Sequence, residues 1–279
     1  MADRYFVESP ISGDRAVLVG QEAHHLAHVM RAKPGTEVTL FDGSGAEFAA
    51  RVLRVNRAEV ELAVVGRQEV DRELPLELVL AVALPKGDRQ KWLVEKAVEL
   101  GVARLVPLAT ARSVAEPAET AHKRLRRTVI EASKQCGRNR LMEIAAPEDW
   151  AGLLEATAGA PCRLLVHPRN LSRTPPALRE EPSSRRNLAD GEEESSRRSA
   201  TSSEEDPSPR DMASRPEIWR PGNRPKSVYA AIGPEGGFTE DEVRLALDAG
   251  WRPIDLGPRI LRVETAALVV AAVIGGRLA

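Results

Sequence analysis

An α/β chain in two parts, a small β-barrel-like unit followed by a mainly parallel sheet covered by helices, is predicted by three observations. Short alternating strands fill residues 1–70, strand and helix patterns alternate from residue 74 onward, and glycine-bearing loops follow two of the later strands. The length of 279 residues and an apolar fraction of 42% are enough for one large domain or two modest ones with a buried core.

The first unit reads as strands over 4–7, 16–19, 36–41, 47–55 and 58–65. Val38/Leu40 and Phe48/Ala50/Val52 alternate with polar neighbours, which is the period of a half-buried strand. Asp42-Gly43-Ser44-Gly45 joins two of these strands with residues that tolerate turn angles. One helix, 21–31, interrupts the strands, and Pro34-Gly35 is its expected stop. It carries His24 and His28 at i, i+4 spacing, but no third ligand is near in sequence, so no metal site is expected.

The second unit reads as strands over 76–83, 104–108, 162–166, 228–232 and 253–256, alternating with helices over 88–100, 122–135, 149–156, 239–249 and 264–274. That alternation implies a mainly parallel sheet with helices on both faces, and such sheets bind ligands beyond the carboxyl ends of their strands. Asp88 is the expected cap of the first helix, and Thr239-x-x-Glu242 forms a capping box at a later one. Residues 170–226 fit neither unit. They are dominated by Ser, Arg, Glu, Asp and Pro without apolar periodicity, and are read as a disordered surface insertion.

Composition excludes several classes. No apolar run approaches the roughly 20 residues that span a bilayer, and Met1-Ala2-Asp3-Arg4-Tyr5 lacks the apolar core of a signal peptide; a cytoplasmic protein with no membrane partner is expected. Two cysteines, Cys136 and Cys162, cannot form a disulfide scaffold. A formal net charge of -1 argues against non-specific coating of nucleic acid, so any RNA contact must come from local patches.

Gly233-Pro234-Glu235-Gly236-Gly237 follows a strand and precedes a helix, yet it is neither a Walker A sequence nor Gly-x-Gly-x-x-Gly. Glu240, Asp241 and Glu242 already occupy the positive end of that helix, which disfavours a phosphate there. Alone, such a loop is equally a turn needing unusual backbone angles. The next strand, however, also ends in a glycine loop, Leu256-Gly257-Pro258-Arg259-Ile260-Leu261-Arg262-Val263-Glu264. Adjacent loops of this kind present backbone N–H and C=O groups to a flat ring, with Ile260 and Leu261 to cover its faces. Arg262 and Glu264 are either site residues or simply a pair. Upstream, His122-Lys123-Arg124-Leu125-Arg126-Arg127, continued by Lys134 and Cys136-Gly137-Arg138-Asn139-Arg140, sets basic residues around a helix and its following turn, a surface suited to RNA phosphates.

These stretches together closely resemble the bacterial 16S ribosomal RNA uridine-N3 methyltransferases, the RsmE family of the SPOUT (knotted) methyltransferase superfamily. The resemblance rests on His28-Val29-Met30-Arg31, Leu40-Phe41-Asp42-Gly43-Ser44, Lys86-Gly87, Glu95-Lys96-Ala97-Val98-Glu99-Leu100-Gly101-Val102, Gln135 to Arg140, His167-Pro168-Arg169, Ile232 to Phe238 and Leu256 to Ala266, in the family's order. It departs at Ala111, before Arg112, where the family often carries an acidic residue.

The resemblance implies a PUA-like RNA-binding β-barrel over 1–70 and a SPOUT domain over 74–279 whose parallel sheet carries a trefoil knot. It implies S-adenosylmethionine as cofactor, 16S ribosomal RNA of the small subunit as partner, and a homodimer. Carried over by position, the cofactor pocket is lined by Val166, His167, Ile232, Gly233, Gly236, Leu256, Gly257, Ile260, Leu261 and Arg262. Arg262, Glu264 and Arg138 are the catalytic candidates; Arg4, Arg31, Lys123, Arg127, Arg138 and Arg140 are the RNA-binding ones. The rival readings are a dinucleotide-dependent oxidoreductase on a similar sheet, against which the missing Gly-x-Gly-x-x-Gly speaks, and a non-catalytic RNA-binding protein, which has no need of two matched glycine loops.

Overall fold

A computed structural model describes residues 3–113, 119–168 and 225–276; the expected insertion lies outside the described residues except for its last two positions. The N-terminal strands are β1 (Arg4–Phe6), β2 (Arg15–Val19), β3 (Glu37–Phe41), β4 (Ala46–Val55) and β5 (Glu59–Glu69). They form one sheet in the order β1-β3-β4-β5-β2, in which β1 runs parallel to β3 and the other pairs are antiparallel. Alternation along β4 sends Ala46, Phe48, Ala50 and Val52 inward, and they pack with Tyr5, Leu18, Leu40, Val60 and Leu62 in one core. Register shifts at Ala49/Ala50 and Val52/Arg54 bend β4, as bulges do, so the sheet curls around that core.

The predicted helix 21–31 is present in two geometries. An α-helical turn, α1 (Gly20–His24), continues as a π-helical turn over His25–Val29. Its stop is Arg31, in the left-handed region at φ 53, with the Ala32 N–H returning to the Leu26 carbonyl at 3.1 Å. The helix therefore ends before Pro34-Gly35.

The second sheet comprises β6 (Glu77–Val82), β7 (Arg104–Ala109), β8 (Glu143–Ile144), β9 (Glu148–Asp149), β10 (Arg163–Val166), β11 (Ser227–Ile232) and β12 (Arg252–Ile254). Interleaved with them are α2 (Asp88–Glu99), α3 (Glu119–Cys136), α4 (Trp150–Ala156), α5 (Glu240–Asp248) and α6 (Val263–Gly276). The order is β12-β10-β11-β6-β7-β8, every pair is parallel, and β9 also pairs with β7. Central β6 is closed to water on both faces, from Leu78 to Val82, which is why it reads as an unbroken apolar run. On one face Trp150, Phe238 and Trp251 meet with ring centroids 4.7 and 6.1 Å from Trp150. Elsewhere α6 packs against α2, β6 and β11.

Two of these helix starts depart from or match the sequence reading. Gly87, not Asp88, is the N-cap of α2, and no side chain caps it. The capping box of α5 is formed as expected: the Thr239 hydroxyl accepts from the Glu242 N–H at 3.2 Å, and the Glu242 carboxylate accepts from the Thr239 N–H at 2.7 Å.

A polar cluster joins the two sheets. Arg4 of β1 donates to Glu47 at 2.5 Å and to the Asn139 side-chain oxygen at 2.6 Å. Arg72 donates to the same Glu47 oxygen at 2.6 Å and to the Gly137 carbonyl at 2.8 Å, and the Asn139 amide donates to the Val70 carbonyl at 3.1 Å. Burial alone would raise the Glu47 carboxyl, but hydrogen bonds from Arg72 and Arg4, and their charges, outweigh it and hold Glu47 below the usual carboxylate range.

Candidate active site and nucleic-acid interface

The carboxyl ends of β10, β11 and β12 lie in register at one rim, with Val166 opposite both Ile232 and Ile254. Backbone bonds fasten the chain as it leaves them: the His167 N–H donates to the Ile254 carbonyl and the Ala83 N–H to the Ile232 carbonyl, both at 3.0 Å. Val166, His167, Ile232, Gly233, Gly236, Leu256, Gly257, Ile260, Leu261 and Arg262 thus leave the same edge of the sheet, from three strands that are not consecutive in the chain.

Gly233 packs under the buried Phe238, whose ring would lie 3.0 Å from any Cβ added there, so the turn after β11 admits no side chain without a shift. Gly257 sits at φ 103 with its N–H on the Asp255 carboxylate at 2.9 Å, a conformation that side-chain-bearing residues rarely adopt. Beyond it Ile260 is 99% exposed, and no backbone hydrogen bond ties residues 258–261 to another described residue. The His167 imidazole has a buried Nδ1 with no partner among the described residues; burial lowers its pKa, and Asp255 opposes that shift.

At the start of α6, Glu264 is 5% exposed and its Oε2 has no hydrogen-bond partner among the described residues. Its nearest cation is Arg89 on α2, at 3.8 Å, which also donates to Glu235 at 3.1 Å. Arg89 therefore links the loop after β11 to the start of α6. Nothing local in the sequence marks Arg89, whose partner Glu235 lies 146 residues away. Arg262 is exposed and has no partner among the described residues, so the local Arg262–Glu264 pair is not formed. From the other side Arg112 donates to the Gly236 carbonyl at 2.6 Å, and the Ala111 N–H donates to the buried Glu242 carboxylate at 2.8 Å. Ala111 acts through its backbone, so the missing acidic side chain there leaves this tie in place.

The basic residues divide into two sets. Lys123 and Arg127 on α3, Arg31 after the π-turn and Arg140 after α3 are exposed. Arg138 and Arg4 are not. Arg138 is 4% exposed, and its guanidinium bonds both Glu73 carboxylate oxygens and the carbonyls of Val98 and Val102. Such a side chain is a buried strut, enclosed by protein acceptors. Arg4 is likewise engaged by Glu47 and Asn139 and lies 5.0 Å from the Phe41 ring centroid.

Comparison with known families settles the kinship of this arrangement. The profile of the RNA methyltransferase domain matches residues 72–187 and 173–275. The chain belongs to that RNA methyltransferase family. The profile of the RNA methyltransferase PUA domain matches residues 18–65, within the curled sheet. This family member is 28% identical over 261 residues to a ribosomal RNA small subunit methyltransferase E of Synechocystis, covering 94% of this chain and 73% of that one. It is 28% identical over 255 residues to the Bacillus subtilis protein of the same name, covering 90% and 86%. Among solved structures it resembles a methyltransferase of Legionella pneumophila in complex with S-adenosylmethionine, with TM-score 0.75, 29% identity and coverage of 99% and 98%. It shares the fold of a Neisseria gonorrhoeae ribosomal RNA small subunit methyltransferase E, with TM-score 0.73, 24% identity and the same coverage.

Proposed function

We propose that this RNA methyltransferase transfers a methyl group from S-adenosylmethionine to N3 of a specific uridine in 16S ribosomal RNA of the small ribosomal subunit. The observation that carries the reading is the rim where the carboxyl ends of β10, β11 and β12 lie in register, together with a buried Glu264 whose Oε2 is unpartnered among the described residues.

The residues present fit the cofactor. Ile260 and Leu261 offer apolar cover for an adenine ring, and the backbone of residues 258–261 offers donors and acceptors for its edge. Glu235 and Glu264 suit a cationic sulfonium, where they would repel a polyphosphate. When bound, S-adenosylmethionine supplies an electrophilic methyl carbon on that sulfonium.

Methylation at N3 requires that the uracil lose its N3 proton, that an N3–carbon bond form and that the sulfur–carbon bond break. Orientation by the loops can lower such a barrier by up to ~7–11 kcal/mol in well-aligned cases. Arg262, exposed and without a described partner, faces the charge that develops on the uracil oxygens, and Glu264 relays the proton.

Residues 1–70 hold RNA and residues 74–279 carry the transferase, with Lys123, Arg127, Arg31 and Arg140 as phosphate contacts. The return of α6 from the edge strand β12 to the central strands β6 and β11 is consistent with a knotted chain. Two such chains form a homodimer; Val273 on α6 and Trp92 on neighbouring α2 remain 46% and 45% exposed, apolar surface that self-association would cover. Its substrate places the enzyme in the cytoplasm with assembling ribosomes.

Calorimetry with S-adenosylmethionine, NAD and ATP tests the reading. Binding of S-adenosylmethionine alone is expected; binding of NAD would point to an oxidoreductase, and no binding to an RNA-binding module.

A further inference from the structure

A groove of about 320 Å³ runs between the curled sheet and α3. Its size is at the low end of small-ligand sites, roughly 300–1,000 Å³. One wall is edge strand β2, whose alternation turns Val17 and Val19 outward, 43% and 54% exposed, where polar residues are the rule. The other wall is α3, with Lys123, Arg126 and Arg127 on it.

Charge matching along the groove is incomplete in one direction. Glu8 is paired with Arg126 at 3.3 Å, and Arg126 lies 5.8 Å from the Phe6 ring centroid, which fixes it in place. Glu22 and Glu131 are paired with Lys134 at 3.0 and 3.5 Å. Each acid on the groove wall therefore has a base, while Lys123 and Arg127 have no acidic partner among the described residues. An apolar wall opposite unmatched cations suits a ligand with a flat apolar ring on one side and an anion on the other.

We propose that this groove holds a single-stranded stretch of the substrate RNA, with an unstacked base or its ribose against Val17 and Val19 and backbone phosphates on Lys123 and Arg127. A duplex cannot meet both walls, because its bases are stacked inside and its groove-facing edges are polar. The site rests on the reading that RNA is the substrate and adds where, and in what form, a segment of it is held.

Fluorescence anisotropy with a short single-stranded RNA and a duplex of matching composition, over a salt series, tests it. Val17→Thr/Val19→Thr keeps the β-branched shape and is expected to weaken single-strand binding roughly fivefold with an unchanged salt slope, because it removes apolar contact and no charge. Lys123→Ala/Arg127→Ala is expected to flatten the logarithmic salt slope by about 1.4, the change for two phosphate contacts on a single strand. Both variants change exposed side chains, and unchanged melting temperature and S-adenosylmethionine affinity verify their fold. In the unaltered protein, photocrosslinking of 4-thiouridine RNA is expected to label β2 or α3. Wild-type affinity in the valine variant, equal affinity for duplex, a shift in oligomeric state in place of RNA affinity, or crosslinks confined to other elements would each overturn the groove while leaving the RNA reading intact. Failure of the unaltered protein to bind any RNA would instead overturn the substrate reading, and the groove with it.

Discussion

Arg138 and Glu73 meet in a two-pronged ion pair across 65 residues of sequence, and the same guanidinium holds the carbonyls of Val98, in the last turn of α2, and of Val102 beyond it. A cation enclosed this way is a keystone of packing. Arg138→Ala leaves a mostly buried carboxylate and two carbonyls without their donor, and breaking a buried pair typically costs ~3–5 kcal/mol. Urea denaturation is expected to show that loss. Arg140→Ala, on an exposed side chain two residues on, should leave the midpoint unchanged and weaken RNA binding. Equal stability in the two variants would contradict the assignment.

Glu47 joins Arg4 and Arg72, and its pKa is lowered in the folded protein. A depressed carboxyl contributes its stabilisation fully above the ordinary glutamate value of 4.5 and loses it as pH falls through the lower folded value. Acid is therefore expected to loosen this link between the two sheets. Glu47→Gln should lower stability near neutral pH and reduce the further loss between pH 4.5 and lower values, as followed by denaturation across pH. Parallel pH curves for the variant and the parent would show that Glu47 is not the group responsible.

Arg89 bridges Glu235 and Glu264, the one from the loop after β11 and the other from the start of α6. Because Arg89 is 43% exposed, its removal should have a modest effect: about three- to tenfold weaker cofactor binding, or ~0.7–1.4 kcal/mol. If the arginine acts by holding the loops, Arg89→Ala weakens binding of S-adenosylmethionine and of its uncharged thioether product alike. Calorimetry that finds tighter binding of the sulfonium alone would mean that Arg89 acts only through its charge.

Gly233→Ala would place a Cβ 3.0 Å from the buried Phe238 ring. Overpacking of this kind typically costs ~1–3 kcal/mol. The thermal midpoint and the cofactor affinity are both expected to fall, and a second change, Phe238→Leu, should restore part of the affinity. Unaltered affinity in the single variant would detach the turn from the site.

The regular elements were legible because their causes are local. Val38/Leu40 and Phe48/Ala50/Val52 announce strands by period, Leu78 to Val82 by an unbroken apolar run, and Thr239 with Glu242 marks the start of α5 within four residues. The two glycine loops could be read as a pair because each follows a strand, and the parallel sheet then brings those strand ends together. The enclosure of Arg4 and Arg138 is not legible in a charge run, because their partners lie as much as 135 and 65 residues away. Arg89 is hidden for the same reason, since its contact with Glu235 spans 146 residues. The π-turn over His25–Val29 leaves no period that separates it from an ordinary helix.

Nucleoside analysis of 16S ribosomal RNA tests the proposed methyl transfer. Small ribosomal subunits that lack uridine-N3 methylation are incubated with the protein and S-adenosylmethionine carrying a labelled methyl group, then digested and resolved by mass spectrometry. Labelled 3-methyluridine is expected at a single position, abolished by Arg262→Ala in a protein that keeps its melting temperature. Label on another base, on a ribose oxygen, or on no nucleoside at all would contradict it.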